Sequence, residues 1–482
     1  LFALHVTSDA QITQPQTPSF STTQPIKNSV FYTNSALVNN APNYSYVPSV
    51  GATSDDIIRQ TNLKVMQQMG YKPPVIPPSD PIERHYFIIN QYKQDMMSGS
   101  QFRQHQELLK ILNEADNEQK NVPVNENYSS ASFIAKTKPY ENALNQLQEM
   151  LSGKQKLSVS RAYFEMENAY GDSYLTQQEF KAAIKESADF IKKWLVQNGY
   201  DLKSNEALHL GIQKFMGDTL TIISTTADKT GTLKTTHLPF SYDFDDFKAE
   251  KDFRNYFLTK SLATGSGQCN SLPAIYNALA EALGAKSYLT FTPKHSFIKY
   301  PGDDGRIHNY EPTSHWNISD EWYMDNFFIS PEATLSGIYF DTLNRQQIVA
   351  NCVIDLAHGY LEKFGAADGK FITECLKTAL PYFPRQNNIT AYFIYSSMLA
   401  RLLDRELRRN NITDLKDISK SPDAEKLYLE LMRNENDIKK LGYQDMPEQL
   451  YEQIMQQHEF KGERQKSSGF NGKEKRSLFI NN

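Results

Sequence analysis

Apolar positions fall at helical spacing along most of the chain. Over 177–198, Phe180, Ile184, Ile191 and Leu195 make one face. Thr176 and Glu179 before them read as a capping box, and Gly199 after them as a stop. Over 272–283, Leu272, Ile275, Leu279 and Leu283 recur at three- and four-residue steps, flanked by Ala274, Ala278 and Ala282. That pattern predicts a buried, closely packed helix. Pro273 fits only in its first turn, so the helix starts within a few residues of Cys269, and Gly284 ends it. Further on, Ile348, Val349, Val353, Leu356 and Leu361 precede Gly365, while Phe371, Leu376 and Leu380 follow it. Pro381 and Pro384 break that pattern, and another helix pair starts near Ala391.

Alternating stretches are fewer. Thr219–Ile223 and Leu233–His237 predict a β-hairpin around Asp228-Lys229-Thr230-Gly231. Lys286–Phe291 and His295–Tyr300 alternate on either side of Pro293, and Arg306–Glu311 returns after the turn Pro301-Gly302-Asp303-Asp304-Gly305. If that turn closes symmetrically, Tyr300 faces Arg306, paired numbers sum to 606, and His295 lies opposite Glu311. Opposed residues share a face with Cβ atoms about 5 Å apart. A slip of one residue would send Glu311 to the other face and leave Asn309 no better placed.

The pattern therefore predicts an α+β fold, mainly helical, with a central antiparallel sheet packed on a Cys-bearing helix. The expected organisation is a tether over 1–53, helical regions over 54–215 and 345–460, a thiol domain over 216–344 and a disordered tail over 461–482. Within the first part, a short helix from Ser54, a stiff Pro73–Pro78 spacer and a helix started by Asp80-Pro81 are expected.

Composition narrows the function. The 482 residues carry a net charge of -5 spread along the chain, which argues against nucleic-acid binding. No apolar run reaches the roughly 18 residues of a membrane span. Mean hydropathy is -0.57, and 27 Tyr and 27 Phe put much of the burial on rings. Cys352 and Cys375 either bond to each other, leaving Cys269 odd, or lie as free buried thiols on two helices, the more frequent arrangement. Small residues Ser8 and Ala10 after Leu1–Val6 fit the end of a signal peptide, implying export to a periplasmic or extracellular space; an ordinary flexible N-terminus is the other reading. The Asp228-Lys229-Thr230-Gly231-Thr232 stretch resembles the phosphorylation motif of P-type ion pumps, but those need many spans, so it reads as a turn.

The chemistry concentrates in one stretch. A cysteine at a helix start has its thiolate favoured by the free amides there. Gly265-Ser266-Gly267 ahead of it lets the backbone turn and a substrate approach. With His295 as base and Glu311 as orienting carboxylate, Cys269 completes a nucleophile–base–orienter set. The Cys269 amide and the Gln268 side chain are candidate oxyanion donors; Gly267, Asn309 and Trp316 are further candidates for the oxyanion and substrate surface. His308, His315 and Trp316 either line a groove or pack as an aromatic cluster. Asp243, Asp245 and Asp246 either hold a cation or supply a helix cap through Asp245 or Asp246.

Gly267-Gln268-Cys269, His295-Ser296-Phe297 and Glu311-Pro312-Thr313 resemble, in order, the Gly-x-Cys, His-x-aromatic and Asp-Pro-Thr motifs of the transglutaminase-like branch of the papain-like thiol superfamily. The resemblance covers about 250–330. Glu replaces the usual Asp, and Phe the usual Trp. It implies acylation of Cys269 by an amide followed by transfer to water or an amine, as in a peptidase or amidase, with a peptide or protein substrate. No metal or organic cofactor is implied, and no HExxH, paired CxxC or complete phosphate loop occurs. The paired C-terminal helices, broken every 35 to 45 residues or so, weakly resemble tetratricopeptide repeats or form an irregular bundle. They are a candidate surface for a protein partner. The alternative function is a retired enzyme within a scaffold whose helices carry the role.

Overall fold

The computed structural model describes residues 128–225, 231–327 and 329–446, and the backbone of 479–481. The expected tether, the Ser54 helix, the proline spacer, the Asp80 helix, the 228–230 turn and the tail up to 478 lie outside the described residues.

Four helices come first: α1 (Ala131–Leu151), α2 (Val159–Tyr170), α3 (Gln177–Gln197) and α4 (Asn205–Gly217). Ser130, Ser158, Thr176 and Ser204 each turn a hydroxyl onto a first-turn amide. Such capping satisfies donors the helix itself cannot. At α3 the predicted Thr176–Glu179 capping box is formed. Strands β1 (Leu220–Thr225) and β2 (Thr232–His237) then pair antiparallel, Leu220 facing His237. Strand β3 (Ser241–Tyr242) runs parallel to β4 (Ser266–Gly267), and α5 (Leu258–Thr264) lies between them in sequence. The cap before α5 differs from expectation. Asp252 caps the short 3₁₀ turn Phe253–Tyr256, while Asp246 takes the amides of Lys251 and Asp252 and the Asn255 side chain. Asp243 is ion-paired to the buried Lys260. Among the described residues no group of three or more His, Cys, Asp or Glu could hold a metal.

Next come α6 (Ser271–Leu283) and the sheet β5 (Tyr288–Thr292), β6 (His295–Pro301) and β7 (Ile307–Tyr310), with β6 in the middle. Helices α7 (Asp320–Asn326), α8 (Pro331–Ser336), α9 (Arg345–Phe364), α10 (Lys370–Ala379), α11 (Ile389–Arg409) and α12 (Pro422–Lys440) follow. Strand β8 (Phe479–Asn481) adds to the free edge of β2, so these three residues of the expected disordered tail are ordered as strand.

The chain is mainly helical with small sheets, an α+β arrangement. Helix α6 packs against α2, α3, α4 and α5 and touches β5 and β6. Only its Glu281 and Ala282 are not buried, as a helix apolar on most of its circumference requires. Glu281 accepts from the Val159 and Ser160 amides at 2.8 and 3.0 Å, fastening α6 to the start of α2. At the C-terminal side, α9 pairs with α10 and α11 with α12, and α9 also lies on α1 and α2. One hydrophobic cluster runs from Phe133 to Leu431. Cys352 and Cys375 are free and fully buried, on α9 and α10. No helix among the described residues is long and apolar enough to cross a membrane.

The β6–β7 register corrects the symmetric expectation. Tyr300 pairs with His308, not Arg306, and Ile298 with Tyr310. Gly302 donates to the Arg306 carbonyl at 2.7 Å, so the turn is the three residues Asp303-Asp304-Gly305, with Gly305 at φ 79°. Three-residue hairpin loops with a left-handed third residue are a standard solution. The slip is two residues along the returning strand, which raises the pair sum from 606 to 608. Parity is therefore kept, and Glu311 stays on the face of His295 and Phe297.

Candidate active site

Two loops meet at Cys269. The first is its own lead-in. Gly265, at φ 70°, ends α5 in the left-handed conformation that glycine tolerates best. Gly267 has a different reason: a Cβ there would sit 2.5 Å from Ser261 Oγ and 2.7 Å from Ser271 Oγ. Those hydroxyls bond to each other at 2.8 Å, and Ser271 Oγ accepts from the Gln268 amide at 3.0 Å. Gly267 is thus required by the approach of α5 to α6 rather than by an approaching substrate. Helix α6 begins two residues after Cys269, and Leu272 donates back to the Gln268 carbonyl. Gln268 is fully covered; its Oε1 accepts from the Asn270 amide, and its Nε2 has no partner among the described residues. The Cys269 amide likewise has no partner among the described residues.

The second loop carries the acid. Glu311 accepts four hydrogen bonds. Its Oε1 takes the Thr313 amide at 3.0 Å and the Thr313 hydroxyl at 2.7 Å; its Oε2 takes His295 Nε2 and the Tyr323 hydroxyl, each at 2.6 Å. The loop is closed by the Glu311 amide on the Trp316 carbonyl at 2.8 Å. The Glu-Pro-Thr order is therefore a local device in which the carboxylate folds back on its own chain two residues later. The longer Glu side chain also has a reason. Extending the observed register places Glu311 opposite Phe297, diagonal to His295, and diagonal neighbours are farther apart than opposed ones.

His295 Nε2 faces Glu311, which leaves Nδ1 as the ring nitrogen available to Cys269 beside it. Cys269 Sγ also lies 3.9 Å from the Lys294 carbonyl. Ser296 donates its hydroxyl to the Cys269 carbonyl at 2.6 Å, tying β6 to the start of α6. Burial alone would lower the imidazole pKa, but the Glu311 charge, the neighbouring Cys269 and the hydrogen bond the ring donates to Glu311 outweigh it and push His295 up to about 10. Burial would raise Glu311, yet the His295 charge and the bonds from His295, Tyr323 and Thr313 bring it down to about 2. Both groups are consequently charged near neutral pH.

The other candidates fall elsewhere. Asn309 pairs with Lys299 and gives its side-chain amide to Asp320 at 2.8 Å, away from the thiol. Trp316 is 60% exposed at the mouth of the acid loop. His315 sits between the Tyr310 hydroxyl and the Phe240 carbonyl, at 3.3 and 3.2 Å, and His308 lies beside Tyr300 and Asp304. His315 is a packed histidine, whereas the His308 side chain stays 39% exposed. Phe297 is fully buried, so it forms no wall of a cleft; its ring lies 4.3 Å from that of Tyr323, nearly parallel. Tyr323 itself escaped the sequence reading, because nothing in local spacing links it to a residue twelve positions earlier.

No family profile matches the chain, no curated protein is significantly similar to it, and no solved structure matches its fold.

Proposed function

We propose that the chain is a cysteine-dependent hydrolase or acyltransferase acting on a peptide or other amide, with a transglutaminase-like core formed by α6 and the β5–β7 sheet. The observation that carries the reading is the 2.6 Å bond from His295 to the buried Glu311, with Cys269 beside the imidazole just ahead of α6. In this reading the Cys269 thiolate attacks the amide carbonyl and its C–N bond breaks as the His295 imidazolium gives its proton to the leaving amine. A thioester remains. Water, or an amine acceptor, then gives a proton to neutral His295 as it attacks, and Cys269 leaves as thiolate. Glu311 stays ionised and stabilises the imidazolium. The Cys269 amide donates to the oxyanion. Gln268 Nε2 is a second donor once its side chain turns out of the covered position it holds.

The test compares iodoacetamide labelling of Cys269 at pH 6 in the full chain and in His295→Ala. Cys352 and Cys375 are poor references, since both are fully covered and burial, with nearby carboxylate charge, pushes their thiols up. Because the thiolate is the reactive form, the histidine variant is expected to label about a hundredfold more slowly. Equal rates would sink the proposal.

A further inference from the structure

We infer that Tyr323 is a positioning residue of this site, setting the bearing on which Glu311 meets His295. The inference rests on the reading of Cys269 as nucleophile. A buried phenol needs an acceptor, and many carbonyls would serve. Tyr323 instead donates to Glu311 Oε2, the oxygen that His295 uses, at the same 2.6 Å. Because Oε1 is occupied twice by Thr313, the carboxylate cannot swing its other oxygen toward the imidazole without breaking both bonds. A carboxylate oxygen presents two lone-pair directions. With Tyr323 on one, the imidazole is left the other.

The tyrosine is itself held. On one face of β6 stand His295, Phe297 and Lys299, and α7 engages all three. Tyr323 reaches His295 through Glu311 and stacks on Phe297, while Asp320 binds Lys299 Nζ at 2.6 Å and the Asn309 amide at 2.8 Å. Ser319 caps α7 on the Trp322 amide at 3.2 Å. The charged groups around the phenol are Glu311, Asp320, His295 and Lys299. Burial, then the Glu311 charge, raises the phenol well above its ordinary value, so Tyr323 stays a donor across the range in which His295 titrates.

Tyr323→Phe keeps the ring and removes the hydroxyl. The readout is iodoacetate alkylation of Cys269 against pH in the full chain. An anionic reagent is drawn by the imidazolium, so the fall in rate at high pH reports the loss of that charge. Expected are a rate about tenfold lower at pH 7 and an alkaline limb moved to lower pH by about one unit, with thermal unfolding little changed. In a Glu311→Gln background the same substitution should add no further loss, because the two act through one bond. Phe297→Leu loosens the platform under the ring; a smaller shift of the limb in the same direction is expected, and it stands in if Tyr323→Phe does not fold. An unchanged limb in a folded Tyr323→Phe, or losses that add in the double variant, overturns the inference. If His295→Ala also leaves labelling unchanged, it is the nucleophile reading that fails instead.

Discussion

The two loops that meet at Cys269 use their hydrogen-bonding capacity in opposite ways. At the acid loop every acceptor direction of Glu311 is filled, by Thr313 twice, His295 and Tyr323. At the thiol loop two donors are unspent among the described residues: the Cys269 amide and Gln268 Nε2. A buried donor without a partner costs roughly 1–3 kcal/mol, so leaving one idle needs a reason. In the proposed chemistry the reason is plain. The charge on Glu311 exists before substrate arrives and must be fixed; the oxyanion exists only during reaction, and its donors must be vacant until then.

The comparison breaks most sharply at Glu311. Glu311→Gln should lower turnover by about a thousandfold or more, since it removes the charge that stabilises the imidazolium. It should also reduce stability by about 3 kcal/mol by stranding a buried partner. The sign of the pH dependence follows from both groups. Glu311 is held near 2 from an ordinary 4.5, so its contribution is present above 4.5 and lost as pH falls toward 2. His295 is raised to about 10 from 6.5, so its contribution is full below 6.5 and lost as pH rises through 10. The melting-temperature gap between wild type and Glu311→Gln should thus be widest between pH 4.5 and 6.5. A gap that grows toward pH 10 would contradict the ion pair.

Gln268→Ala probes the other loop. Turnover should fall by about a hundredfold, while alkylation by iodoacetamide, which forms no oxyanion, proceeds at the wild-type rate. Loss of both rates together would make Gln268 a structural residue. The smallest effect is expected at Thr313→Ala, which removes one of four donors and leaves the amide in place: about a threefold loss in alkylation at neutral pH.

Those residues differ in how openly the sequence displayed them. Cys269, His295 and Glu311 were legible because each depends on a local rule: a helix start set by Pro273, a strand start after Pro293, and a carboxylate returning on the paired strand. The helix stops at Gly199 and Gly284 were readable for the same reason. The hairpin register was not. Counting five turn residues ignored that Asp303-Asp304-Gly305 is a complete three-residue loop with glycine in its left-handed place, and only the evenness of the slip kept Glu311 on the correct face. The cap at Asp252 was hidden because Asp243, Asp245 and Asp246 offered equally good local chemistry. Tyr323 and the pairing of β8 with β2 belong to tertiary contact, which no periodicity along the chain encodes.

The bond from Ser296 to the Cys269 carbonyl has a mechanical consequence. Ser296, next to His295, holds the backbone of Cys269, so strand and helix are pinned at the point where the proton would travel in the proposed chemistry. A shear of the sheet against the helix would therefore accumulate its displacement at the far ends of both elements, toward Pro301 and Leu283. Cys269 and His295 would sit at the pivot of any such movement, where the lever arm is shortest.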